Sequence, residues 1–205
     1  MNNIDLLIIN KFWSWFLSIY NDLGENFENE RLLHALDKQI LSLGDFAWEI
    51  GPGINKLNQL VISPGGDLDL LPSTKKIISY AINLPDWEFF YVKPPKQWNL
   101  MFEFEDENGI LIDIDATEWK YLLLKYDDEM FEIVIQTHDL LKFNEDDQHN
   151  ASEILLDGIL GEEARMMFIS NVSVVGEFEE RYKTNSSDLI HLYKQLMSLT
   201  KGRLK

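Results

Sequence analysis

The chain has 205 residues, 45% of them apolar and none cysteine, so it can bury a core unaided, and disulfide scaffolds, zinc fingers and thiol catalysis are excluded. Its 35 acidic against 18 basic residues leave a net charge of -17, which repels nucleic-acid phosphates and attracts basic protein surfaces. The apolar run from Leu6 to Ile9 is too short for a signal peptide, and charge interrupts the denser apolar stretches, so no membrane span is expected and a reducing, cytoplasmic setting is.

The first 45 residues read as a helical pair. Phe12, Trp13, Phe16, Leu17 and Tyr20 recur at helical spacing, as do Leu32, Leu33, Leu36 and Ile40. Gly24 is expected to end the first helix, Asn26 or Asn29 to cap the second, and Gly44 to close it. Strands are expected from Phe46 to Ile50 and from Gln59 to Ile62, each stopped by Gly and Pro. Ser73 is the expected N-cap of a helix from Thr74 to about Ile82, with Ile77, Ile78 and Ala81 facing inward. Trp87 to Val92 reads as a further strand, closed by Pro94 and Pro95.

From Met101 onward the apolar residues alternate with period two. A three-residue loop of Glu107, Asn108 and Gly109, with Gly109 left-handed, pairs Phe104 with Ile112 and Phe102 with Ile114. A loop of Ala116, Thr117 and Glu118 then pairs Ile112 with Leu122 and Ile110 with Leu124. An Asp127-Asp128 turn pairs Leu124 with Phe131 and Leu122 with Ile133. The expectation is a four-stranded antiparallel meander over about 100–137, with Ile135 completing its apolar face. Asp139 to Asn150 reads as a loop, Ser152 to about Leu160 as a helix, Met166 to Val175 as a last strand, and Leu189 to Leu199 as a final helix capped by Asn185 or Ser186. The basic tail 201–205 should fray. The fold class is α+β: one domain over 1–205, a mainly antiparallel sheet with helices on one face and an N-terminal helical segment.

The same register places Glu103, Glu105, Asp113 and Asp115 on the opposite face, with Asp113 beside Tyr121 and Asp115 beside Trp119. These six form a candidate partner-binding surface, in which acids attract a basic protein and aromatics anchor it. The alternatives are a carboxylate metal site and a solvated face that keeps the sheet soluble. His34, His138, His149 and His191 lack metal-ligand spacing, and His149 with Glu153 reads as a surface pair. Ser63-Pro64-Gly65-Gly66 is not a nucleophile elbow, and there is no Walker loop and no dinucleotide fingerprint. Asp113-x-Asp115 lies within a strand rather than at the strand end where phosphoryl-transfer sites open, and Gly161-Glu162-Glu163 reads as a helix-to-strand turn. No cofactor, bound metal or catalytic residue is implied.

Trp48-Glu49-Ile50-Gly51-Pro52-Gly53, Leu60 to Asp67, Leu84-Pro85-Asp86-Trp87-Glu88-Phe89 and Leu155 to Glu162 resemble an uncharacterised family of small acidic bacterial proteins with no established activity. The resemblance spans about 48–175 and implies a bacterial, cytoplasmic α+β protein. In size and acidity the chain is also similar, at the level of class only, to toxin-neutralising immunity proteins. The leading expectation is a non-enzymatic interaction protein, an immunity-type inhibitor being its specific form, that binds a basic partner. The alternatives are a metal-dependent hydrolase using Glu103, Asp113 and Asp115, and a small-molecule sensor with an apolar pocket.

Overall fold

Asp5 opens the first helix by accepting the Leu7 amide, and α1 runs Leu6–Ile19. In this computed structural model, which describes residues 4–23 and 26–200, Ile9, Phe12, Trp13 and Phe16 share the buried face of α1. The expected stop at Gly24 lies outside the described residues. Asn29 caps α2 (Glu30–Leu41), which buries Leu32, Leu36 and Ile40, and the Gly44 amide bonds back to the Ile40 carbonyl at 3.3 Å. Helical spacing puts Phe12, Trp13, Phe16, Leu32, Leu36 and Ile40 where the core is, but Leu17, expected in the first stripe, is 49% exposed, and Tyr20 lies in a 3-10 turn after the helix.

These helices share a core with a three-stranded sheet. β1 (Ala47–Pro52) pairs antiparallel with β2 (Asn58–Ser63), and β2 pairs in parallel with β3 (Trp87–Phe90). The crossover contains α3 (Leu71–Ser79), whose Ile77 carbonyl accepts the Trp13 indole N–H at 2.9 Å. Ser73 is not its cap. Pro72 starts the helix earlier, because its fixed φ suits the first turn and the missing N–H costs nothing there. Leu60, Ile62, Leu84 and Trp87 fill the same core, with Trp87 edge-on to Phe16 at 5.2 Å between ring centres. Between β1 and β2, the Glu88 carboxylate accepts the backbone amides of Ile54 and Asn55.

A second core begins after residue 93. β4 (Met101–Glu105) and β5 (Leu111–Asp115) pair in the expected register, Phe104 with Ile112 and Phe102 with Ile114. Asp106 N–H donates to the Ile110 carbonyl at 3.0 Å, the Gly109 amide to the Asp106 carbonyl at 2.9 Å, and Gly109 takes φ +75°. This is the three-residue loop, closed by the residue that adopts a left-handed backbone at least cost.

The expected meander ends there. β5 does not pair with β6 (Lys120–Lys125), and β4–β5 is a sheet of its own. β6 pairs with β7 (Phe131–Gln136), one residue away from the expected register: Leu123 opposes Ile133, and Tyr121 opposes Ile135. The cause is the loop. Asp127, Asp128 and Glu129 form three residues instead of a two-residue turn, with Tyr126 N–H bonded to Met130 O and Glu129 N–H to Tyr126 O, both at 3.0 Å. Glu129 occupies the left-handed position at φ +69°, which a glycine would have advertised and a glutamate does not. One extra residue exchanges the two faces of the strand. Of the expected apolar face, Phe104, Ile114, Leu122, Phe131, Ile133 and Ile135 are buried, while Ile110 is 56% exposed at the hairpin loop.

The helix expected from Ser152 starts at Glu145: α4 runs Glu145–Leu160 behind an Asn144 cap. Its first two turns are polar because they face solvent in large part, and Glu145, Asp146 and Asp147 suit the positive end of the helix dipole. Gly161 leads not to a strand but to α5 (Glu162–Phe168), and β8 (Ile169–Val175) follows, parallel to β7. After α6 (Glu180–Lys183), β9 (Ser187–Asp188) takes the place of the expected helix cap and pairs antiparallel with β6. A 3-10 turn over Leu189–His191 leads into α7 (Leu192–Thr200). The larger sheet has the order β8-β7-β6-β9, and the tail 201–205 lies outside the described residues.

The chain is thus α+β, as expected, but it forms two compact units, Met1–Lys93 and Pro94–Lys205, where one domain was expected. Each has its own core. Among the described residues no helix is long and apolar enough to cross a membrane.

Candidate functional site at the hairpin

The β4–β5 hairpin turns one side inward. Phe104 and Ile114 are buried, and Phe104 meets Phe143 edge-on at 5.1 Å. Period two sends Glu103, Glu105, Asp113 and Asp115 to the other side, where all four are exposed. Glu103 stands directly opposite Asp113, as expected, and such a like-charge pair costs a few tenths of a kcal/mol, up to about 1. Among the described residues neither carboxylate has an ion-pair partner, whereas Asp115 accepts the Thr117 hydroxyl at 2.6 Å and its amide at 3.0 Å. Those two bonds, the hydroxyl first, hold the Asp115 carboxyl below the usual aspartate value.

The expected aromatic anchors are elsewhere. Trp119 is 4% exposed and donates its indole N–H to Asp139 at 3.0 Å. Tyr121 is 1% exposed and donates its hydroxyl to Gln195. Burial pushes the Tyr121 hydroxyl above its ordinary pKa. β5 and β6 do not pair, so no sheet register sets Tyr121 beside Asp113 or Trp119 beside Asp115, and each ring fills a core with its polar atom satisfied. A large ring beside a covered sheet gains more from burial than from the surface.

Other residues take that place. An open groove of about 740 Å³ brings Glu103, Asp113 and Asp115 together with Lys96, Trp98, Met101, Phe102, Ile114 and Ile154. Glu105 is not part of it. Trp98 is half-buried, 5.9 Å from the Phe102 ring, and Lys96 reaches over its face at 5.8 Å. The ring rests on α4 at Gly158, where a Cβ would come within 2.2 Å of Trp98 Cζ2, and the Gly158 carbonyl accepts the Lys96 amide at 2.8 Å. Only glycine permits that approach. Nothing in the periodicity of the segment 94–100 signals this role for Trp98. The glycine in the middle of α4 was the available hint.

A second charged cluster joins α4 to α5. Arg165 donates to Asp157 at 2.5 Å and to Glu153 at 2.6 Å, and His149 approaches Glu153 at 3.6 Å, the expected surface pair. Glu162 is fully buried. Burial works against the charged guanidinium, but Asp157 and Glu153 overcome this and raise the Arg165 pKa. Glu153 and Asp157 are like charges four apart on one helix, which disfavours the helix unless a cation is shared, and that spacing was legible. The cluster fastens a corner. Among the described residues no group of three His, Asp or Glu could hold a metal ion.

The fold and site define an α+β protein with an acid-rimmed groove beside a hairpin that, among the described residues, pairs with no other strand. No family model matches the chain, no curated protein matches it, and no solved structure matches it.

Proposed function

We propose that this is a non-enzymatic, cytoplasmic interaction module that receives a basic protein partner at the β4–β5 hairpin. The observation that supports it is the grouping of Glu103, Asp113 and Asp115 with half-buried Trp98 and exposed Met101 in one groove, with Glu103 and Asp113 facing each other unneutralised. Two carboxylates held opposite at a cost to stability gain from an incoming cation. On the class-level likeness to immunity proteins, the partner is a toxin with a basic face. The hydrolase reading lacks a converging ligand set among the described residues, and the groove is open and acid-rimmed where a sensor of apolar molecules needs enclosure.

The test is capture from a bacterial lysate, then binding kinetics of the purified partner at low and high salt. Association should slow with salt and with Glu103→Gln or Asp113→Asn, because exposed charges act on the encounter. Trp98→Ala should speed dissociation instead. An acidic partner, or kinetics indifferent to salt and to all three substitutions, would overturn the proposal.

A further inference from the structure

Both long edges of the hairpin could in principle accept another strand, and they are not equivalent. β4 also packs against α4, whereas the main neighbour of β5 is β4 alone. The hydrogen bonds from Asp106 N–H to Ile110 O and from Ala116 N–H to Leu100 O fix the phase of the pairing. Even-numbered residues point their backbone groups across the hairpin, so alternation turns the N–H and C=O of Leu111, Asp113 and Asp115 outward from the free edge of β5. At Asp113 and Asp115 the open backbone groups and the acidic side chains therefore belong to the same residues, and Leu111 adds open backbone groups alone.

We propose that the partner engages this edge as an extended, basic segment that adds antiparallel to β5 as a third strand. The inference rests on the basic-partner reading above and specifies its geometry. In an antiparallel addition, a residue opposite Asp113 or Asp115 exchanges both backbone hydrogen bonds with it, and their side chains lie side by side. Lysine or arginine is therefore required at alternate positions. The intervening side chains fall on the face of Ile112 and Ile114, toward the groove lined by Trp98 and Phe102, and should be apolar. A second copy of the chain does not fit, because it would set this acidic edge against another, and charge on an edge strand is a common guard against self-pairing. Backbone bonding supplies affinity and the alternating side chains supply selectivity.

The probe is the capped peptide Val-Lys-Val-Lys-Val-Lys-Val, added to the full chain and followed by amide NMR and hydrogen exchange. Three controls carry the same charge: the peptide N-methylated on lysine amides, the peptide N-methylated on valine amides, and Gly-Lys-Pro-Lys-Gly-Lys-Pro. The Val/Lys peptide should bind with protection of the Leu111, Asp113 and Asp115 amides. Lysine methylation should weaken it by about tenfold or more, the equivalent of about one hydrogen bond, while valine methylation, which faces away from β5, should cost much less. Equal losses from the two methylations, or a Gly/Pro peptide that binds as tightly as Val/Lys, would overturn strand addition and leave the basic-partner reading standing. Failure of all the lysine peptides to bind at low salt would overturn both.

Discussion

Gly158→Ala should lower stability, although the same change inside a helix ordinarily raises it. Alanine is favoured over glycine in a helix interior by about 1 kcal/mol. Here the new methyl would sit 2.2 Å from Trp98 Cζ2, 2.7 Å from Cη2 and 2.8 Å from Cε2. Carbon atoms rest about 3.5 Å apart or more, so the ring must retreat by roughly 1.3 Å. It has little freedom to do so, since the Lys96 amide two residues earlier is tied to the Gly158 carbonyl at 2.8 Å. Overpacking of this kind costs about 1–3 kcal/mol. The net expectation is a loss of about 1 kcal/mol with Trp98 present and a gain of about 1 kcal/mol in a Trp98→Ala background, because removal of the ring leaves only the helix preference. The assay is urea denaturation of the full chain, read from the amide signals of Ile133 and Ile135 in the same unit, for the four members of the cycle. Stabilisation by Gly158→Ala of equal size in both backgrounds would refute the reasoning.

Arg165→Met removes the guanidinium paired with Asp157, 8% exposed, and should cost about 3–5 kcal/mol; adding Asp157→Leu should recover much of that loss in the same denaturation experiment. Burial pushes the Glu88 carboxyl up, but the amides of Asn55 and Ile54 outweigh this and hold its pKa below the usual glutamate value. A depressed carboxyl contributes stability at higher pH and loses it as pH falls through the folded-state value. The Ile54 and Asn55 amide shifts should therefore titrate with a midpoint below the ordinary glutamate range, and Glu88→Gln should abolish that titration.

Where sequence and structure agree, the signal was local and redundant. The stripe through Phe12, Trp13 and Phe16 and the cap at Asn29 needed no knowledge of distant residues. The β4–β5 register followed from two alternating segments and a glycine that named its own loop position. The β6–β7 register failed because Glu129 occupies the equivalent position without a glycine's signature. The early turns of α4 were missed because their polar residues lack an apolar stripe, although Asn144 and the acidic first turn carried a cap signal. Placement of Trp119 and Tyr121 depended on which strands share a sheet, a long-range fact that alternation cannot contain. The carboxylates Glu103, Asp113 and Asp115 of the groove were therefore legible, and the ring that accompanies them was not.

The larger sheet has an order of assembly imposed by ribosomal synthesis. β6 lies between β7 and β9, yet β9 is only Ser187–Asp188, and the Tyr121 hydroxyl finds its acceptor at Gln195, 74 positions later. At about 5–20 residues per second, roughly 4–15 s separate the translation of the two ends of that bond. Through that interval β6 lacks its β9 neighbour and the Tyr121 hydroxyl lacks its Gln195 acceptor, while β7 can already hold the other side of the strand. The C-terminal stretch thus acts as a latch on the nascent chain. A ribosome stalled before Ser187 should present β6 as a template for chaperones or for another unfinished copy.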